Sequence, residues 1–119
     1  MNTILSAVII DDEEDMCTLL SGYLRKQKVA VHIAYDLKSG KKSILDSKPD
    51  FLFLDNNLPD GSGVDCIAEI RQLHPKMKII VISAMSNLKE SALENSADDF
   101  LGKPISFTTI KAIIEGVSG

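Results

Sequence analysis

The sequence alternates five times between a short apolar segment and a longer segment whose apolar residues recur at helical spacing. The predicted strands cover residues 4–10, 29–34, 51–54, 78–83 and 99–101. The predicted helices cover about residues 13–27, 37–47, 64–74, 86–94 and 107–117. Runs such as FLFL at 51–54 leave no polar face, which is typical of strands covered on both sides. The alternation predicts one parallel sheet with right-handed crossovers and helices on both faces.

The composition is that of an ordinary globular domain, with 119 residues, 45% hydrophobic and 25% charged. We expect a single domain over residues 1–119 and no output domain in this chain. The net charge of −4 comes without a basic stripe, which argues against nucleic-acid binding. No apolar run reaches membrane-spanning length and no signal pattern opens the sequence, so we expect a cytoplasmic protein without a membrane segment. Cys17 and Cys66 are expected to be reduced core thiols.

Polar residues stand where four of the predicted strands end. They are Asp11, Asp12, Asp55, Ser83 and Lys103. Because the carboxyl ends of parallel strands share one edge, we expect these side chains to meet there. Taken alone, Asp55 is explained better as the first residue of the turn in DNNLPDG than as a reactive group, and the polar residues at the other strand ends reverse that preference. The acids at 13–15 are explained by the positive end of a helix dipole, with Asp12 as the predicted N-cap.

The five side chains suit phosphoryl chemistry. Three converging carboxylates repel each other unless a proton, a cation or a metal intervenes, and their hard oxygens suit Mg²⁺. Lys103 and Ser83 can each contact a phosphoryl oxygen. A carboxylate that accepts a phosphoryl group becomes an aspartyl phosphate. We expect Asp55 to be that nucleophile, on the argument that its loop leaves it the most exposed of the three acids.

Four motifs in this order make the chain resemble a response-regulator receiver domain of two-component signalling. They are VIIDDEED at 8–15, PDFLFLDNNLPDGSG at 49–63, IIVISA at 79–84 and DDFLGKP at 98–104. The resemblance covers essentially the whole chain. It implies a (βα)5 doubly wound, flavodoxin-like fold with five parallel strands in the order 2-1-3-4-5.

The resemblance also implies a role for each matching position. Asp55 would be the phosphoacceptor, and Asp11 and Asp12, with Asp55 and the backbone carbonyl of Asn57, would hold Mg²⁺ or Mn²⁺. Ser83 would be the switch hydroxyl, and Lys103 would contact the phosphate and precede a cis peptide bond to Pro104.

Three positions concern the output of such a switch. Phe100 falls at the switch aromatic, which is commonly Tyr in the family. Asn57 and Met85 fall at positions that tune the lifetime of the phosphoryl group, although Met85 is explained equally well as a hydrophobic cap on the next helix. Ser83 keeps the hydrogen-bond donor of the Thr that is more usual in the family but lacks its methyl group, and Phe100 keeps the ring of Tyr but lacks its hydroxyl group.

The implied function is a phosphorylation-dependent switch that remodels the face made by the fourth helix, fifth strand and fifth helix. Its partners would be a sensor histidine kinase or a histidine phosphotransfer protein, and a downstream effector protein. It would not be an enzyme beyond assisting its own phosphorylation and dephosphorylation. The alternatives are a receiver fragment of a larger regulator or hybrid kinase, and an aspartyl-phosphate phosphohydrolase. A nucleotide- or flavin-binding module would need a glycine-rich loop where DDEED stands.

Local patterns give three further predictions. Gly40 inside a helix suggests close packing of helix on sheet, and segment 29–34 suggests a strand near the sheet edge. Ser86 or Asn87 is expected to cap the fourth helix. The resemblance adds a fourth, because the family usually has a Gly near Asn95-Ser96 to end this helix, and here Asn95 would take the left-handed conformation instead.

Overall fold

The computed structural model describes residues 4–118. Its main strands are β1 (Ser6–Ile10), β2 (Ala30–Ala34), β3 (Phe51–Asp55), β4 (Lys78–Ser83) and β5 (Asp99–Gly102). Its α-helices are α1 (Glu14–Lys26), α2 (Leu37–Ser47), α3 (Ile67–Leu73), α4 (Lys89–Glu94) and α5 (Phe107–Ser118). Short 3₁₀ turns at Val64–Cys66 and Ser86–Leu88 lead into α3 and α4. The predicted alternation of strands and helices is confirmed.

The five strands form one parallel sheet in the order β2-β1-β3-β4-β5. This is the predicted flavodoxin-like order, and β2 lies at the edge as expected. All five residues of β3 are buried, because strands pair with it on both sides and helices cover both of its faces. The parallel pairing therefore brings the carboxyl ends of all five strands to one edge.

The core has two halves, one on each face of the sheet. Alternate residues along each strand point to opposite faces, so Val8 and Ile10 belong to one half while Ala7 and Ile9 belong to the other. The first half includes buried side chains of α2, α3 and α4, and the second includes buried side chains of α1 and α5. These two layers fix the sheet from both sides.

Gly40 packs directly against the sheet, as predicted. A methyl group at this position would lie 2.6 Å from Cγ1 of Ile10 and closer still to its Cδ1. Gly40 therefore allows α2 to approach β1 just before the strand reaches Asp11.

The helix ends differ from the sequence predictions in three places. The N-cap of α1 is Glu13, not Asp12, and the carboxylate of Asp11 accepts the Glu13 backbone N–H at 2.9 Å. Met85, not Ser86 or Asn87, precedes the turn into α4. Its backbone N–H is held by Ser83 Oγ at 3.0 Å. Both differences follow from the strand ends, whose side chains satisfy the first N–H groups of the next segment.

The third difference lies after α4, where Ser96 rather than Asn95 takes the left-handed conformation, with φ of 79°. The N–H of Ala97 donates to the Ala92 carbonyl at 3.0 Å, and that of Ser96 donates to Leu93 at 3.2 Å. This pair of bonds is a Schellman motif, which requires the left-handed residue one position beyond the C-cap Asn95.

Among residues 4–118, no helix combines the length and the hydropathy needed to cross a bilayer. Cys17 is buried, Cys66 is half-buried, and both are free thiols as predicted.

Candidate phosphoacceptor and metal site

The carboxyl edge of the sheet brings together the side chains predicted from the strand ends. Asp11 follows β1 directly, Asp55 is the last residue of β3, and Ser83 is the last residue of β4. Lys103 follows β5, and its backbone N–H donates to the Ser83 carbonyl at 3.0 Å. The peptide bond between Lys103 and Pro104 is cis, as predicted.

Asp11, Asp12 and Asp55 form an acid cluster. Each offers a carboxylate oxygen, and these oxygens lie within 4.8 Å of one another. Asp11 and Asp55 are buried, at 2% and 5% relative exposure, whereas Asp12 is exposed. The prediction that Asp55 is the most exposed of the three acids is therefore wrong. Its backbone continues the central strand, so neighbouring elements cover it even though Asn57 and residues 59–61 of the following loop are exposed.

Lys103 Nζ is the cation of the cluster. It lies 3.2 Å from Asp11 Oδ2 and 3.5 Å from Asp55 Oδ1. It also forms an ion pair with Glu13 Oε1. Burial alone would lower the pKa of Lys103, but the hydrogen bond to Glu13 and the charges of Asp55 and Asp11 raise it above its usual range. Lys103 is therefore charged wherever the protein is folded near neutral pH.

Burial and the charge of Asp11 raise the pKa of Asp55 to about 6, although Lys103 and the backbone N–H of Asn56 act in the opposite direction. Burial is the largest cause of this shift, and the charge of Asp11 raises the pKa of Asp55 more than Lys103 lowers it. One lysine therefore does not offset the repulsion between these carboxylates. A second cation would relieve it. The hard oxygen donors, their spacing and this electrostatic deficit together fit a divalent metal ion.

Ser83 is almost fully buried, at 1% exposure, and its Oγ accepts the Met85 backbone N–H. Its hydroxyl proton remains available as a donor. Met85 itself is 43% exposed at the rim. Phe100 is half-buried in the middle of β5 and packs against the core half that includes α4. The short segment from Ser83 to Met85 therefore connects the site to the turn at Ser86–Leu88 that leads into α4.

The loop after Asp55 is held by a residue that the sequence reasoning treated only as a turn-former. Asn56 is buried, and its Oδ1 accepts Ser62 Oγ at 2.7 Å and the Val64 backbone N–H at 3.1 Å. Asn57 is exposed, and the two-residue strand Asn57–Leu58 pairs with Gly61–Ser62. Asn56 thus closes the loop that presents the Asn57 backbone, although its partners six and eight residues away left no pattern in the sequence.

Cys17 lies beneath the site. Its thiol donates to the Asp11 carbonyl at 3.3 Å, and burial raises its pKa to about 12. The thiol is therefore neutral and acts as a packed core group that supports the Asp11 backbone.

The sequence matches the family model described as response regulator receiver domain over residues 7–115. It is 38% identical over 117 residues to the transcriptional regulatory protein YxdJ of Bacillus subtilis, covering 97% of this chain and 49% of that protein. It is 33% identical over 110 residues to the response regulator protein PilR of Pseudomonas aeruginosa, covering 91% and 25%. The chain therefore spans between a quarter and a half of the length of these two relatives.

Two solved structures of similar fold are also response regulators. A two-component response regulator from Clostridium difficile superposes with a TM-score of 0.89 at 26% identity, covering 95% of this chain and 94% of that one. A response regulator protein from Burkholderia pseudomallei superposes with a TM-score of 0.85 at 27% identity, covering 91% and 65%. That structure is described as having a phosphorylated aspartic acid, a calcium ion and citrate.

Proposed function

The chain belongs to the response regulator receiver family, and from this premise we propose that it is a phosphorylation-operated signalling switch. Asp55 accepts the phosphoryl group, and the donor is a phosphohistidine on a sensor histidine kinase or a histidine phosphotransfer protein. The observation that carries the proposal is the position of the Asp55 carboxylate, which lies beside both the Lys103 ammonium and two further acids.

The transfer is a substitution at phosphorus. A carboxylate oxygen of Asp55 forms the new P–O bond while the P–N bond to the donor imidazole breaks, and the leaving nitrogen keeps the electron pair. Lys103 stabilises the charge that spreads over the phosphoryl oxygens, and the Ser83 hydroxyl donates a hydrogen bond to one of them. The protein thus assists its own phosphorylation and is not otherwise an enzyme.

The acid cluster and the backbone carbonyl of Asn57 would hold Mg²⁺ or Mn²⁺. When bound, the ion supplies the positive charge that offsets the carboxylates and the incoming phosphoryl group. Mg²⁺ should therefore raise the melting temperature, because it binds the folded chain and relieves repulsion there. Asp12→Ala should remove most of that increase. An undiminished increase in this variant would mean that the metal binds elsewhere.

The output of the switch is a change in the α4-β5-α5 face. Once Asp55 carries a phosphoryl group, Ser83 Oγ turns toward it and the loop through Met85 follows. Phe100 moves with that loop and alters the surface beside α4. Asn57 and Met85, at the rim, set how easily water reaches the phosphoryl group. The altered face contacts a downstream effector in the cytoplasm, either in another protein or in further sequence of the kind that the longer relatives contain.

The test is labelling by a small phosphodonor such as acetyl phosphate, in the presence of Mg²⁺ or a chelator. We expect one acid-stable, hydroxylamine-sensitive label that requires Mg²⁺ and disappears in Asp55→Asn. Asp46→Asn, which alters an exposed acid on α2, is the matched control and should label normally. Label that persists in Asp55→Asn would exclude Asp55 as the acceptor.

A further inference from the structure

The Glu13 side chain forms an ion pair that is unrelated to its position at the start of α1. Glu13 is the N-cap of α1, yet its side chain makes no capping hydrogen bond, and its carboxylate pairs with Lys103 instead. The two residues are 90 positions apart in the sequence. The contact is also the closest that Lys103 Nζ makes to any of its three carboxylate partners.

The backbone of Glu13 is held by two hydrogen bonds, whereas its side chain is largely exposed and is paired only with Lys103 among the residues that the structure describes. Its N–H is held by Asp11 Oδ1 at 2.9 Å, and its carbonyl accepts the Cys17 N–H at 3.1 Å. The side chain is 61% exposed and stands between two clefts, of about 660 and 180 Å³, to both of which Glu13 contributes. The carboxylate can therefore leave Lys103 without disturbing the strand or the helix.

The other two partners of Lys103 differ from Glu13 in this respect. Asp11 and Asp55 are buried members of the acid cluster and stay beside the lysine. A phosphoryl group on Asp55 would place new anionic oxygens next to the same ammonium. Among the three carboxylates that pair with Lys103, that of Glu13 is the one that can move away and leave room for the phosphoryl group.

We propose that Glu13 is a positioning residue that competes with the phosphoryl group for Lys103 and so limits the stability of the phosphorylated state. The inference rests on the function proposed above. An exposed ion pair contributes little, so the expected effect is about two- to fivefold.

The experiment measures the affinity of the Mg²⁺-loaded protein for beryllofluoride, a phosphoryl mimic, in wild type, Glu13→Gln and Glu13→Asp. Glu13→Gln removes the charge, and Glu13→Asp keeps the charge but shortens the side chain by one methylene group, which we expect to withdraw the carboxylate from Lys103. We expect both variants to bind beryllofluoride about two- to fivefold more tightly and to label faster with acetyl phosphate.

Glu14→Gln is the matched control, because it removes an equal charge from an adjacent exposed residue. It should change the affinity by clearly less than Glu13→Gln. In the metal-free protein, Glu13→Gln and Glu13→Asp should also shift the ¹⁵N resonance of Lys103 Nζ, and Glu14→Gln should leave it in place.

The outcomes separate this inference from the proposed function. A wild-type protein that neither labels nor binds beryllofluoride would overturn the proposed function and the inference with it. A wild type that does both, with Glu13→Asp behaving like wild type, would show that only the charge of Glu13 matters and would overturn the inference alone. Weaker binding in Glu13→Gln would overturn it as well.

Discussion

The Asp60 carboxylate accepts the backbone N–H of Leu37 at 2.8 Å, although the two residues are 23 positions apart. Its second oxygen accepts the N–H of Lys38 at 3.1 Å. The loop that follows Asp55 therefore caps α2, and α2 in turn packs on β1 through Gly40. Because Asn56 closes the same loop from its other end, both ends of the segment that presents Asn57 are held.

Asp60→Asn should lower the stability of the fold at neutral pH. The hydrogen bonds from Leu37 and Lys38 lower the pKa of Asp60, so the charged form is favoured in the folded state. The contribution of Asp60 is therefore present above the ordinary aspartate pKa of about 4 and is lost as the pH falls through its lower folded value. Denaturant titrations at several pH values should show a deficit at pH 7 that shrinks in acid. Asp46→Asn is the control, and an equal pH dependence in that variant would contradict the assignment to Asp60.

Asp55→Asn should raise the stability of the metal-free protein. The folded pKa of Asp55 is about 6, above its unfolded value, so the ionised carboxylate costs stability at neutral pH. That cost is absent below a pH of about 4, develops as the pH rises from about 4 to about 6, and is fully present above the folded pKa. With a chelator at pH 7, the variant should be more stable than wild type by on the order of 2 kcal/mol. The advantage should vanish in acid and diminish when Mg²⁺ is added. If the variant is less stable than wild type at pH 7, the ionised Asp55 carboxylate does not destabilise the metal-free protein.

The sequence predicts the strands and the edge at which they end better than it predicts the side-chain contacts at that edge. Apolar runs end at Asp11, Asp55 and Ser83, and parallel pairing alone then determines that these residues meet. The exposure of Asp55 was predicted wrongly because most of the turn-formers after it are exposed, while its own burial depends on the strands on either side. Local pattern carries no information about such lateral neighbours.

Apart from Asn56, the residues whose contacts were not predicted from the sequence have partners far away in the chain. Glu13 was explained by the helix dipole, because nothing near it indicates a lysine 90 positions later. Asp60 looked like part of a turn, because the N–H groups it accepts belong to another crossover. Arg71 is a third case, since its guanidinium joins the end of α3 to Asp98 at 2.8 Å and to the Ser96 carbonyl at 2.6 Å.

Ser96→Gly should stabilise the protein, whereas Asn95→Gly should destabilise it. Ser96 has a positive φ, which costs a residue with a Cβ about 1 kcal/mol, and glycine avoids that cost. Asn95 has φ of −89°, and its side chain donates to the Ser91 carbonyl at 2.7 Å. We expect the free energy of unfolding to rise by about 0.5–1 kcal/mol in Ser96→Gly and to fall by about 1 kcal/mol in Asn95→Gly. If urea titrations instead show Asn95→Gly to be the more stable variant, Asn95 rather than Ser96 takes the left-handed conformation.

Gly63→Ala should damage the phosphoacceptor site directly. A methyl group there would overlap the Asp55 carbonyl oxygen and lie 3.0 Å from Leu54 Cγ. Because the obstacle is backbone at the end of β3, relief of the overlap has to shift Asp55 or the loop closed by Asn56. We expect the free energy of unfolding to fall by about 1–3 kcal/mol, and labelling by acetyl phosphate to slow even where the variant is fully folded. Gly22→Ala is the control, since its methyl group would meet no atom within 4 Å and the change should add about 0.5–1 kcal/mol to α1. Normal labelling in a folded Gly63→Ala protein would mean that the Asp55 backbone tolerates this displacement.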